Sequence, residues 1–268
     1  MEQVKQNHLT CKICGNPADK CFNTRMLRKY PVDILYCPNC GFLFPTEVFW
    51  LKEAYQRPIN LEDTRILERN IRFAKIISVI LYFFFKRHGQ FLDFAGGYGL
   101  FTRLLRDVGF QFQWNDPHTP NLFARGFDTE LSTGQQFELI TAFEVFEHFQ
   151  NPLEEISRLF SYSDNLLFST VLLPRIPPKA NEWWYYGFEH GQHISFYSKK
   201  TLEFLAQKYQ RNLYSSHNIH LFTAKSISPL LYRFIITIGF NFLFLLVKKL
   251  MRSLTTRDAE AMREKSTT

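Results

Sequence analysis

Phe91-Leu-Asp-Phe-Ala-Gly-Gly-Tyr-Gly99 is the stretch whose reading decides the fold. Phe91 to Phe94 reads as a short apolar strand carrying one carboxylate, Asp93. Ala95, Gly96, Gly97 and Gly99 follow at once, and Leu100 to Val108 has the spacing of an amphipathic helix. A strand that ends in small residues and turns sharply into a helix brings backbone amides against a nucleotide-like ligand in α/β folds. Large side chains would hold the ligand off that backbone, so the glycines have a steric purpose. Glycine clusters also mark ordinary tight turns. Asp116 strengthens the reading: it follows the strand-like run Phe110 to Trp114, where a βαβ unit places its ribose-binding carboxylate.

A nicotinamide dinucleotide fold needs G-x-G-x-x-G, and after Gly97 and Gly99 the third position is Thr102. Asp93-Phe-Ala95-Gly-Gly97-Tyr-Gly99 instead resembles motif I of the class I S-adenosylmethionine-dependent methyltransferases, with Ala95 in place of the first glycine. The resemblance implies a Rossmann-like α/β sheet with helices on both faces and S-adenosylmethionine as cofactor. It also implies cofactor contacts from Asp93, Ala95, Gly96, Gly97 and Gly99, with Asp116 on the ribose hydroxyls and Phe127 facing the adenine.

Two knuckles, Cys11-Lys-Ile-Cys14-Gly15 and Cys37-Pro-Asn-Cys40-Gly41, form the second strong signal. Each presents two thiolates from one tight turn, and four thiolates make a closed tetrahedral zinc site. The glycine after each second cysteine lets the turn close with N–H groups aimed at sulfur. The intervening residues resemble a zinc ribbon, with Tyr30 to Tyr36 as a strand. A redox reading needs one such pair beside a thioredoxin-like βαβ, which is not legible here. The zinc is expected to be structural, and Cys21 a bystander.

Composition sets the bounds. At 268 residues, 46% hydrophobic with 29 phenylalanines, the chain suits one large domain plus a small one and excludes a disordered class. A net charge of +7 favours anionic partners. Met1 to Thr10 is polar, without the pattern of a signal peptide, and cysteines in metal-ligand pairs suit a reducing compartment. The expected localisation is cytoplasmic.

Asn60 to Arg87 carries a long helical pattern in which Arg65, Arg69 and Arg72 share a face, either a solvated basic face or a phosphate contact. Ile76 to Phe85 is too short to span a bilayer and reads as a core helix. Phe137 to Glu144 is strand-like and ends in a carboxylate. Glu144-Val-Phe-Glu147-His148, running on to Pro152, resembles the E-V-x-E-H-x-x-x-P segment of small-molecule methyltransferases. That likeness puts Glu144 against the methionine or the substrate. Glu147-His148 is either functional or a hydrogen-bonded pair capping the next helix.

Asn165 to Val171 is a further strand. Trp183-Trp-Tyr-Tyr186, Glu189, His190 and His193 suit a lid over a site: aromatic rings pack on sugar faces, and histidine takes a hydroxyl proton near neutral pH. His193-Ile-Ser-Phe-Tyr197-Ser198 resembles the H-x-S-[FY]-[FY]-S signature of sugar methyltransferases with N-terminal zinc domains, which implies His193, or else His190, as the base. Where several of those have a glutamate between two histidines, this chain has Gln192, so the carboxylate partner is missing from the motif. Leu230 to Val247 is apolar and closes with Lys248, Lys249 and Arg252, which suits a helix packed on the body or docked peripherally on the inner face of the plasma membrane through 230–252. Arg257 to Thr268 reads as a frayed polar end.

The expected organisation is a zinc ribbon over 1–46, a helical connector over 47–90, the methyltransferase domain over 91–222, and an apolar helix with polar tail over 223–268. The expected function is methyl transfer to a small-molecule acceptor, a sugar carried on a nucleotide or a lipid. Two other classes stand beside it. One is a nucleic-acid methyltransferase using the zinc ribbon, which the lack of a basic run interleaved with aromatics disfavours. The other is a non-catalytic protein of the same fold, which Gly97, Gly99 and Asp116 disfavour.

Overall fold

The computed structural model describes residues 9–56, 59 and 63–266. Four strands open the chain, β1 (Leu9–Thr10), β2 (Pro17–Met26), β3 (Tyr30–Tyr36) and β4 (Leu43–Pro45), in an antiparallel sheet of that order. A short helix α1 (Leu51–Ala54) leads to α2 (Ile66–Phe84). The expected start of that helix, Asn60 to Glu62, lies outside the described residues. Next come β5 (Gln90–Phe94), α3 (Leu100–Val108), β6 (Gln111–Asn115), β7 (Leu139–Ala142), α4 (Pro152–Tyr162) and β8 (Asn165–Ser169). Then follow α5 (Lys199–Lys208), β9 (Asn212–Ser216), β10 (Ile219–Thr223), α6 (Pro229–Phe234), α7 (Phe240–Leu250) and α8 (Thr255–Ser266).

The main sheet runs β6-β5-β7-β8-β10-β9, with β6, β5, β7 and β8 parallel and β10 antiparallel to both neighbours. Its inner strands are buried on both faces, so they read as continuous apolar runs; the edge strands β6 and β9 alternate. Phe91, Phe112, Leu139 and Leu167 face α2, α3 and the C-terminal helices. Leu92, Ile140, Leu166 and Phe168 face α4 and α5, and the buried cysteines Cys11, Cys37 and Cys40 join that same cluster.

The N-terminal sheet is pinned to the main body rather than tethered. Leu43 and Phe196 exchange backbone bonds at 3.0 and 2.9 Å, and the Trp50 indole N–H donates to the Gly191 carbonyl at 2.8 Å. Ser198 caps α5 by a reciprocal box with Thr201, and the Thr201 hydroxyl also donates to the Cys40 carbonyl at 2.9 Å.

Two sequence expectations are corrected here. The polar end is not frayed through Ser266: it forms α8, and its Asp258 is buried against Arg106 and Arg103. The aromatic run is largely core. Tyr185, Tyr186, Phe188 and Phe196 pack on Met26, Val32, Ile34 and Trp50, leaving Trp184 exposed. The apolar stretch after residue 228 is one helical path: α6, a π-turn over Ile235–Gly239 and α7. Tyr232, Ile235, Ile236 and Val247 bury against α2, while Leu230, Ile238, Phe242, Leu245 and Leu250 remain exposed.

Candidate active site

β5 feeds β6 on one side while β7 lies on the other, so the strand order reverses between β5 and β7. A crevice opens there beyond the carboxyl ends, the place where open α/β sheets hold ligands. The cleft has a volume of about 1920 Å³. That exceeds the roughly 300–1,000 Å³ of a single small-ligand pocket and leaves room for two ligands.

At one end stands the glycine turn. Asp93 is buried on β5, accepting from the Thr102 hydroxyl (2.9 Å) and the Thr141 hydroxyl (3.0 Å). Burial raises its carboxyl to about 7 even with those donors. Its position requires Gly96, where a Cβ would meet the Asp93 carboxylate at 2.6 Å and Trp114 at 2.8 Å. The Gly97 peptide is held at both ends: its N–H donates to Asp116 Oδ2 (2.9 Å), and its carbonyl accepts from the Trp114 indole (2.9 Å) and the Thr119 hydroxyl (2.8 Å). The space over Gly97 is open: among the described residues, a Cβ there would approach Ile59 alone, at 3.9 Å. Asp116 Oδ1 accepts from the N–H groups of His118 and Thr119, so this carboxylate shapes the loop as well as facing the cleft.

Ala95 (φ 52°) and Glu144 (φ 56°), just past the ends of β5 and β7, both adopt the left-handed region. Non-glycine residues are held there only where their surroundings over-determine them, commonly at sites. Glu144 is locked by Ser169, whose hydroxyl donates to Oε1 (2.5 Å) while accepting from the Glu144 N–H (2.8 Å).

At the other end, a 3₁₀ turn over Phe146–His148 brings Glu147 and His148 against His193. Glu147 is fully buried, and among the described residues neither carboxylate oxygen has a hydrogen-bond partner. Burial, with the nearby Glu144 charge, raises it to about 8. The alternative of Glu147-His148 as a hydrogen-bonded helix cap is therefore corrected: α4 starts later, at Pro152, with no side-chain cap. His193 Nδ1 lies 2.7 Å from the Tyr185 carbonyl. A carbonyl only accepts, so Nδ1 carries the proton and Nε2 keeps its lone pair. Burial, then the neighbouring His148, holds His193 well below the usual imidazole range, and burial puts His148 at about 4. His148 Nδ1 pairs with the Tyr55 hydroxyl at 3.0 Å. The His190 ring is 4.7 Å from that of His193, and its Nδ1 accepts from the Gln192 N–H (3.2 Å).

The cleft thus brings together Asp93, Ala95, Gly96, Gly97, Asp116, Glu144, His190 and His193. Phe127 is not among them: the Arg106 guanidinium sits over its ring at 3.5 Å, on the α3 side, and Phe123 from the same loop lines the cleft instead. Arg69 also borders the cleft but is held by a bidentate pair with Asp63 (2.9 and 2.6 Å). Tyr55 was not singled out by spacing, because only folding carries it to His148; Glu147 was read beside His148, and folding adds His193 to that pair.

Away from the cleft, Cys11, Cys14, Cys37 and Cys40 converge, with sulfur separations of 3.5 Å for Cys11–Cys40 and Cys14–Cys37. Tetrahedral thiolates at about 2.3 Å from zinc lie about 3.8 Å apart, so the donor set fits that ion. The Ile13 N–H points at Cys11 sulfur (3.4 Å). Cys21 is exposed on β2.

Comparison with known proteins gives a family. Among solved structures, the chain is similar to the plantazolicin methyltransferase BpumL in complex with SAH: 14% identity, 75% of this chain and 84% of that one, TM-score 0.47. It is also similar to a possible histamine N-methyltransferase from Thermotoga maritima (11%, 65% and 99%, TM-score 0.46). A third likeness is to CalO1, a methyltransferase in calicheamicin biosynthesis (12%, 59% and 55%, TM-score 0.41). The chain spans little more than half the length of CalO1. No curated protein sequence matches. The family model described as "Methyltransferase domain" matches residues 68–216, from α2 through β9 and more than half of the chain, and the chain belongs to that family.

Proposed function

We propose that the protein transfers a methyl group from S-adenosylmethionine to a hydroxyl of a small-molecule acceptor, a sugar carried on a nucleotide or a lipid. The observation that carries this reading is the pairing, in one cleft, of a glycine cradle backed by Asp116 with half-buried His148 and His193 and the buried Glu147 behind them. S-adenosylmethionine supplies an activated methyl on a sulfonium. The backbone of Ala95 to Gly99 positions its methionine and ribose, Asp116 holds the ribose hydroxyls, and Phe123 flanks the base. Alignment of the acceptor oxygen behind the methyl and exclusion of water supply most of the remaining acceleration. The acceptor proton leaves at the histidine cluster as the new bond forms, where His193 offers its Nε2 lone pair. Exposed Trp184 and Glu189 on the cleft rim offer a ring for a sugar face and a hydrogen-bond acceptor for its hydroxyls. Zinc held by Cys11, Cys14, Cys37 and Cys40 fixes the N-terminal sheet against α5.

His193→Ala tests the assignment. Turnover should fall by at least about 100-fold, the usual scale of a lost proton-transfer group, while S-adenosylmethionine affinity changes by less than about threefold. Near-normal turnover would return His193 to a structural role.

We infer that the exposed face of α6 and α7 is a docking surface for an anionic membrane. Its apolar residues lie opposite the buried face, and Lys248, Lys249 and Arg252 stand exposed at its end, complementary to acidic headgroups. The 22-residue helical stretch Pro229–Leu250 holds an 18-residue window of mean hydropathy 2.1, the length and composition of a bilayer span, but its packing on α2 favours a surface position.

A further inference from the structure

A catalytic carboxylate–histidine pair is joined by a hydrogen bond, and here it is not. Glu147 lies beside His148 and His193, one donor atom from each within 4.8 Å of the others, yet among the described residues both buried Glu147 oxygens lack a hydrogen-bond partner. The Tyr185 hydroxyl, which pairs with Thr170 (3.1 Å), lies close enough to lower the Glu147 carboxyl but does not offset its burial. Arg69, whose charge reaches Glu147, is committed to Asp63. A carboxyl buried without a partner must be neutralised, by a proton or by a cation.

The two histidines are arranged for the cation. His193 donates its Nδ1 proton to a backbone carbonyl, and His148 Nδ1 pairs with the Tyr55 hydroxyl. Metal-bound imidazoles are oriented in this way, one nitrogen on the ion and the other on a carbonyl or oxygen partner. Donors about 2.1 Å from a tetrahedral ion lie about 3.4 Å apart, so the cluster closes with side-chain adjustments of about an ångström. Two imidazoles and a carboxylate suit a borderline divalent ion and leave a coordination position facing the cleft.

We propose that Glu147, His148 and His193 bind a divalent transition-metal ion, zinc or manganese, whose open position takes the acceptor hydroxyl. This rests on the methyltransferase reading and specifies how the acceptor is activated. In this form the ion replaces the His193 lone pair as the activating group: the hydroxyl loses its proton to water on coordination, before the cleft excludes solvent, and its oxygen then forms the new C–O bond. The C–S bond of the sulfonium breaks and leaves its electron pair on sulfur. His193 then serves as a ligand, and loss of its side chain stops turnover through the ion.

The test uses the full chain with its cysteine site loaded. Titration with Mn²⁺, followed by the loss of the free-ion paramagnetic resonance signal, should show one bound equivalent, and Zn²⁺ should displace it. Glu147→Gln, which preserves shape and removes the charge, should weaken that binding by at least about tenfold, with His148→Asn as the second variant. Cys21→Ser, at an exposed cysteine outside both clusters, should leave it unchanged. No bound equivalent in the wild type, or unchanged affinity in both cleft variants, overturns the proposal. Chelator-treated protein that keeps its cysteine-bound zinc and full methyl-transfer rate overturns it while leaving the methyltransferase reading intact. Absence of S-adenosylmethionine binding overturns that reading instead.

Discussion

His220 shows how a single buried side chain sets a pH limit on this fold. On β10 its Nε2–H donates to the Thr170 carbonyl (3.0 Å), and its Nδ1 accepts from the Ser215 hydroxyl (2.8 Å), so only the neutral ring satisfies both. Burial depresses its pKa to about 4. A depressed histidine contributes stability that is present above the unfolded value near 6.5 and is lost as pH falls towards 4. His220→Gln should be less stable than wild type at pH 7, and the gap should narrow by roughly 3 kcal/mol between pH 6.5 and 4. Denaturant unfolding across that range checks it; a constant gap would mean that His220 titrates normally. At this scale sequence reading reached unevenly. Asp93, Gly97 and Asp116 were legible because their chemistry is local to one turn. Glu147 was legible only as the neighbour of His148, because His193 arrives from the His190–His193 loop. Phe127 was misread because an arginine from α3, invisible in its own neighbourhood, occupies the ring.

Among the elements, α8 has the least apolar sequence, yet its buried Asp258 ties it to Arg106 and Arg103. Arg106 is buried, donates to both Asp258 oxygens and to the Phe112 carbonyl (2.8 Å), and stacks on Phe127. Asp258 partners a residue 152 positions earlier, which is why a polar tail looked frayed in sequence. Breaking a buried pair leaves an uncompensated charge and costs about 3–5 kcal/mol. Asp258→Ala should therefore lower stability by about 3 kcal/mol in denaturant unfolding, while Glu260→Ala at an exposed position of the same helix should change it by less than about 0.5 kcal/mol. Equal effects would mean that α8 is held by something other than this pair. β5, α3 and the knuckles were legible at this scale, since each carries its own periodicity or spacing.

Across the whole molecule, the cysteine knuckles and the C-terminal helices each share a continuous buried cluster with the parallel sheet, while the cleft is lined by residues between Arg28 and His193. The exposed apolar flank of α6 and α7 should carry this body to acidic lipid. Full-length protein should sediment with anionic vesicles at low salt and release as salt screens Lys248, Lys249 and Arg252. Replacing exposed Ile238, Phe242 and Leu245 by serine should abolish sedimentation and leave cofactor binding unchanged. Full-length protein that ignores anionic vesicles at low salt would contradict the docking surface.

The central claim is that the glycine turn holds S-adenosylmethionine, and calorimetric titration of the full chain measures it directly. One equivalent should bind, and Asp116→Ala, which removes the acceptor of the Gly97 N–H and the carboxylate facing the cleft, should weaken binding by at least about tenfold, roughly 1.4 kcal/mol. No binding by the wild type, or unchanged affinity in a folded Asp116→Ala variant, would contradict the account.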